Sequence, residues 1–406
     1  MEPTMEAMRP VMEARPAPRT GTTVWVWNGY SLAERDRRWN AVRALGQQAG
    51  FDCIFVPIGD GLDTRYLTQL KNSAIVLPTD GREPVVVADR GASNAWVPEP
   101  RQTVRTWGKP MADALLEAGM ERARIGVVGL HGGRLSHVRL PDGAVNHTAF
   151  MQVREALPDA TFEDATEIVG RVRFVKSDEE ITCLRHAARI AEAGVATLVE
   201  HARPGADASV VYARVTERML SLGSEYYPLA ITFDPVGERQ SARYTNPPLG
   251  RRFQANDLIT NEVSAVWGAE MAQEDQPILL GPIPDAWQPA IALQREVFEA
   301  GLAAMQPGTT LGEFADRLRA YQRDGLHTIV LMHGRGYGDD GPLFTPRASG
   351  DAVRDVRIER GNAFVWKPTV ASADGRIEFT WGGDVVVTDR GGEPLFTRPH
   401  GLASIT

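Results

Sequence analysis

A long internal repeat constrains this chain more than any other feature. Glu192-Ala193-Gly194, followed by Pro204-Gly205, returns as Glu299-Ala300-Gly301 followed by Pro307-Gly308. The Pro-Gly pairs lie 103 residues apart, and the first copy is four residues longer between its markers, about one helical turn. Each copy leads into a strand-like stretch, Asp257–Val266 (DLITNEVSAV) and Asn362–Val370 (NAFVWKPTV), with Asp257 and Asn362 offset by 105. A repeat of this length predicts a duplicated α/β unit, not a short-period solenoid. At that offset Glu262 and Lys367 are equivalent. Both interrupt apolar strand sequence, where a lone charge is costly to bury. A pseudo-two-fold axis would set them side by side, and pairing would offset part of the cost.

Ahead of the repeat, helix and strand signals alternate. Ser31 with Glu34 is a capping-box pattern that opens a helix ending at Gly50. Strands are predicted at Phe51–Val56, Ser73–Leu77, Pro84–Ala88 and Arg124–Leu130. Ser177 with Glu180 opens a long helix whose Ile181, Leu184, Ala188, Ala191 and Val195 share one face. The preceding RVRFVK reads as basic and extended. The expected organisation is a loose tail over 1–22, a small α/β domain over 23–168 and the duplicated domain over 169–406.

Composition excludes several classes. The chain has 406 residues and a net charge of −8, which argues against nucleic-acid binding. No apolar run approaches the ~18 residues of a membrane span, and the N-terminus lacks the apolar core of a secretory signal. Two cysteines, Cys53 and Cys183, build neither a disulfide framework nor a thiolate zinc site. A cytoplasmic location is expected. GRGYGDDG lacks the Lys-Ser/Thr of a phosphate loop and the Rossmann spacing, so no nucleotide cofactor is expected.

Several segments carry a resemblance. ERDRRWNAVRALGQQAGFDCIFVP, DTRYLTQL, RVRFVKSDEEITCLRHAARIAEAG, NDLITNEVSAVWG, the His333-Gly334 of MHGRGYGDDGP, and GNAFVWKP occur in this order. The ordered set resembles the creatinase, prolidase and aminopeptidase P superfamily from about residue 31 to 396. The resemblance implies an α/β (α+β) chain: a small creatinase-like N-terminal domain, then a pita-bread domain with an internal pseudo-two-fold. It also implies a homodimer.

The superfamily's usual site holds two metal ions on two aspartates, a histidine and two glutamates. Those positions fall here on Glu262, Gln273, His333, Lys367 and Gly382. An amide, an ammonium and a glycine do not replace three carboxylates, and lysine has no acceptor for a cation. The resemblance therefore implies a site without the metal pair and without another cofactor. The metal-free creatinase mechanism uses a histidine before Asn-Pro, but Thr245 precedes Asn246-Pro247 here; a second family histidine falls on Asp340.

The expected catalytic residues are His333, Lys367 and Glu262, with His333 as a base whose pKa lies near working pH. Gln273, Tyr244, Thr245, Asp340 and Arg335 are the expected substrate contacts, with Asp340 a partner for His333 or Arg335. The expected function is metal-independent hydrolysis of a C–N bond in a small, polar, nitrogen-containing substrate. A lyase, isomerase or cyclase is the alternative, and a non-catalytic binding protein is the opposing class. A binding protein predicts a filled or apolar pocket; an enzyme predicts an open polar one with His333 and Lys367 directed into it.

Overall fold

The computed structural model describes residues 11–16, 23–27, 29–59, 61–238, 250–319, 321–323, 325–345 and 351–406. The N-terminal domain is built on a mixed six-stranded sheet. Its strand order is Arg101–Thr103, Val85–Asp89, Ser73–Pro78, Cys53–Val56, Arg124–Val127, Thr161–Asp164. The two central strands, apolar but for Ser73, are buried on both faces by helices, as near-continuous hydrophobic strand sequence requires. The helix Leu32–Gln48 starts where the sequence sets it, with the Ser31 hydroxyl accepting from the Glu34 N–H. The expectation of a loose tail over 1–22 is modified: Met12–Pro16 pairs antiparallel with Thr23–Trp27.

RVRFVK is not extended. Helix Thr166–Phe174 takes up most of it, and it spans the expected boundary at 168. Arg173 is buried at its end and pairs with Asp63 (2.6 Å) and Asp340, so tertiary charge partners decide a segment that local pattern leaves open.

The C-terminal domain repeats a helix pair and strands. Asp178–His201 and Ala208–Ser221 precede the hairpin of Asp257–Trp267 and Glu270–Asp275; Gln288–Ala304 and Leu311–Leu318 precede Ala363–Trp366 and Gly382–Thr388. All four strands join one ten-stranded sheet, whose main path runs Asp339–Phe344, Met332–Arg335, Ala363–Trp366, Gly382–Thr388, Glu270–Asp275, Asp257–Trp267, Ile278–Leu279, Ala403–Ser404. The predicted strand Asn362–Val370 is divided at Lys367-Pro368. Thr369–Ser372 leaves for a separate three-stranded sheet, because Pro368 has no N–H to continue the ladder.

The glycines of the two Glu-Ala-Gly markers explain why the repeat is visible in sequence. A Cβ on Gly194 would lie 2.9 Å from Met219 Sδ and 3.0 Å from Val263 Cγ1. A Cβ on Gly301 would lie 2.4 Å from the Trp366 ring. Each long helix thus meets its own half of the sheet through a side-chain-free position. Helices cover one face of the sheet and leave the other for chemistry.

The two domains share buried charge. Arg38 of the N-terminal domain is fully buried and lies over the Tyr30 and Tyr66 rings at 4.3 and 4.1 Å. It donates to Glu34 (2.6 Å) and to the Tyr337 hydroxyl (2.9 Å), while Arg37 pairs with Glu180 of the long second-domain helix at 2.7 Å.

Candidate active site

Pairing register places the site residues on one face. Ser264 is opposite Gln273, Asp275 opposite Gly382, Val365 opposite Asp384, and His333 opposite Val365. Side chains alternate with period two, so Glu262 joins Ser264, Asp275 joins Gln273, Asp384 joins Gly382, and Lys367 joins Val365 on that face. Val263, Glu274 and Trp366 point to the helix-covered side. There Arg398 pairs with Glu274 at 2.7 Å, and Trp366 donates to Phe298 O at 3.0 Å.

Lys367 and Glu262 meet as the duplication predicts: the Lys367 ammonium donates to Glu262 Oε1. It also lies 3.9 Å from Asp275 Oδ1, a residue that sequence reasoning missed. Gln273 uses both ends of its amide, donating to Asp275 at 3.0 Å and accepting from Arg335. Arg335 is fully buried, donates to Asp339 Oδ1 at 2.7 Å and lies 3.5 Å from Asp384. Asp384, also missed, accepts from the Gln273 N–H at 3.0 Å.

Asp340 is not the partner of His333 or Arg335. It pairs with Arg173, and Asp339 takes the expected place beside Arg335. On this hairpin Asp339 lies opposite Arg335 and Asp340 opposite Gly334, beyond an irregularity in the register between His333 and Gly334. Tyr244 and Thr245 lie outside the described residues.

Burial sets the protonation states. Burial, then the neighbouring Arg335 and Lys367 charges, push His333 down to about 4, so it is neutral at working pH and not poised there as expected. His333 Nδ1 lies 2.9 Å from Gly334 O, which fixes Nδ1 as the protonated nitrogen and leaves the lone pair on Nε2. Burial pushes Asp275 up to about 6 and Asp384 up to about 7. Asp339 is also buried, which raises it, but Arg335, His333 and Arg139 together outweigh that and hold it well below the usual carboxylate range.

A cleft of about 360 Å³ opens over this face, lined by Arg139, Tyr227, Glu262, Ser264, Gln273 and Asp339 among others. It is open and polar. Glu262 and Gln273 form part of its wall, whereas His333 and Lys367 are buried.

The five positions do not fit a pair of metal ions. The Lys367 ammonium sits on Glu262, and the Gln273 amide is spent on Asp275 and Arg335. At Gly382 a Cβ would lie 2.1 Å from Trp366 O and 2.7 Å from Lys367 Cα, so this backbone has no room for a ligating side chain there. His333 and Glu262 alone are too few.

Fold and site together define a pita-bread enzyme of the peptidase/hydrolase type. The chain belongs to metallopeptidase family M24, which matches residues 182–389. It is 29% identical over 279 residues to an uncharacterized hydrolase/peptidase of Sinorhizobium fredii, covering 66% of this chain and 70% of that one. It is 24% identical over 324 residues to a creatinase of a Bacillus species, covering 76% and 75%. The fold matches a Xaa-Pro dipeptidase of Bacillus anthracis with a TM-score of 0.72 at 17% identity, over 91% of this chain and 100% of that one. Among the described residues, no helix is long and apolar enough to cross a membrane.

Proposed function

We propose that this M24 member hydrolyses a C–N bond of a small, polar, nitrogen-containing substrate without a metal ion. The observation that carries the reading is the Lys367 ammonium held by Glu262 and facing Asp275, where the family uses metal-bound carboxylates. One tethered cation balances acidic groups that two ions balance in metal-bearing relatives. The similarity to a creatinase favours a small substrate over a peptide. So does the cleft, with room for roughly a dozen water molecules at ~30 Å³ each.

In this reading Glu262 holds the substrate nitrogen in the cleft. Water bonds to the carbon while neutral His333 takes its proton at Nε2. The C–N electron pair leaves on nitrogen, which takes a proton from Lys367, whose ammonium donates to Glu262. A homodimer and a cytoplasmic location belong to the same proposal; Cys53 and Cys183 are buried and unbridged, which suits a reducing compartment.

The test is elemental analysis of purified protein together with turnover assays on small amides, ureas and guanidino compounds before and after chelation. Substoichiometric divalent metal and chelator-resistant turnover are expected. About two tightly bound ions per chain, or turnover abolished by chelation, would sink the reading.

A further inference from the structure

The two halves of the duplicated domain meet in the sheet along a short seam. Among the described residues, strand Glu270–Asp275 of the first half pairs with Gly382–Thr388 of the second at two positions, Glu274 opposite Gly383 and Asp275 opposite Gly382. Inside the halves, Asp257–Trp267 pairs with Glu270–Asp275 at five positions, and Ala363–Trp366 pairs with Gly382–Thr388 at four. The seam has fewer backbone bonds than either, yet Lys367 meets Glu262 and Asp275 across it.

Arg398, on the C-terminal segment, spans this seam from the helix-covered side. Its Nη2 donates to Gly382 O in the second half and, at 2.7 Å, to Glu274 Oε2 in the first. Nε donates to the same carboxylate oxygen at 3.1 Å, and Nη1 donates to Gln276 Oε1 at 3.1 Å. The guanidinium lies over the Trp381 and Phe396 rings at 4.7 and 4.6 Å. The Glu274 side chain is fully buried and that of Arg398 is 7% exposed, so water competes little for these bonds. The segment around Arg398 is anchored without it. Thr397 N–H donates to Glu192 Oε1 at 2.9 Å, Gln276 Nε2 donates to Gly401 O at 2.7 Å, and Ile405 N–H donates to Leu279 O at 2.9 Å.

What Arg398 grips lies directly behind the Lys367 grouping. Glu274 is the residue before Asp275. Gly382 sits so close to the next strand that a Cβ on it would lie 2.7 Å from Lys367 Cα. A shift of Gly382 therefore carries the Lys367 backbone with it, and a shift of Glu274 carries Asp275. We propose that Arg398 is a positioning residue: by fastening Glu274 to Gly382 across the seam, it sets the Lys367 ammonium against Glu262 and Asp275. The planar guanidinium reaches a carboxylate, a carbonyl and an amide oxygen at once, which the compact charge of a lysine does not. The C-terminal segment is thus part of the site, although Arg398 lies on the opposite face of the sheet. That this placement serves hydrolysis rests on the proposed function; the placement itself is measured without turnover.

The test uses the full chain with isotope-labelled lysine. The chain has four lysines: Lys71 and Lys109 are exposed, and Lys176 and Lys367 are buried. Nuclear magnetic resonance reads hydrogen exchange at each ammonium, with Lys367→Met and Lys176→Arg assigning the two buried signals. In wild type the Lys367 ammonium should exchange slowly. Arg398→Met should speed its exchange about ten-fold or more, as a local opening does, and leave Lys176 at its wild-type rate. Arg398→Lys should fall between the two. A role in stability alone would lower the melting temperature without singling out Lys367. The proposal is overturned if either Arg398 variant leaves Lys367 exchange at the wild-type rate, if Lys176 speeds up equally, or if wild type shows no slowly exchanging Lys367 ammonium. Should Arg398→Met fail to fold, Arg398→Lys decides. Metal content and chelator response, which decide the catalytic reading, are not read by this series.

Discussion

Lys367 and Glu262 are 105 residues apart in the chain, and the ammonium of one donates to the carboxylate of the other across the pseudo-two-fold of the sheet. Asp275 stands 3.9 Å from the same ammonium, so one cation faces two acids. This grouping is the energetic centre of the site.

Lys367→Met removes that cation and strands two acids. Breaking a buried pair by deleting one partner costs about 3–5 kcal/mol, and Glu262 is partly solvated, so a loss near 3 kcal/mol is expected. Turnover should disappear with it. Adding Glu262→Gln should recover part of the urea-unfolding stability but none of the turnover. Unchanged activity in Lys367→Met would remove Lys367 from the mechanism.

Asp384 gives a pH signature. Its carboxyl is pushed up to about 7 by burial, against about 3.9 in an unfolded chain. The folded state therefore binds more protons between those values, and the Asp384 contribution to stability falls as pH rises from about 4 to about 7. Asp384→Asn cannot titrate. Its melting temperature relative to wild type should climb across that window and level off above about pH 8. A difference that stays flat with pH contradicts the assignment.

His333 should act as a base that stays neutral to unusually low pH. With its pKa pushed down to about 4, kcat/KM should hold level from neutrality to about pH 5 and fall only near pH 4. His333→Gln should lower kcat by about 100- to 10,000-fold with the fold intact by circular dichroism. An acid limb near pH 6.5 would assign the base elsewhere.

Gly301→Ala tests the close helix–sheet approach. The new Cβ would meet the indole edge of Trp366 at 2.4 Å, and overpacking of this kind costs about 1–3 kcal/mol. Trp366→Phe removes that edge of the ring. The double variant should therefore lose less stability than the two single losses together in denaturant titrations. Simple additivity would show that the contact is not what makes residue 301 glycine.

The duplication makes much of the site legible, because a single offset in the sequence links Glu262 to Lys367. Asp275 and Asp384 escape for a simple reason: counting ligand positions stops at Gln273 and Gly382, and each missed acid lies two residues further on the same face. The period-two rule alone is enough to find them. Asp340 stands in for its neighbour Asp339 in the sequence reading because MHGRGYGDDGP does not show which of the two aspartates lies opposite Arg335. The helix Thr166–Phe174 is hidden because its Arg173 is placed by partners more than a hundred residues away in sequence.

The ammonium of Lys367 is part of the polypeptide. A bound ion comes and goes with its free concentration, can be stolen by a chelator, and can be replaced by the wrong element. A charge carried on a side chain has none of these dependencies. In the proposed metal-free reading, the balance of charge around Glu262 and Asp275 is fixed when the chain is made, in one-to-one ratio with it.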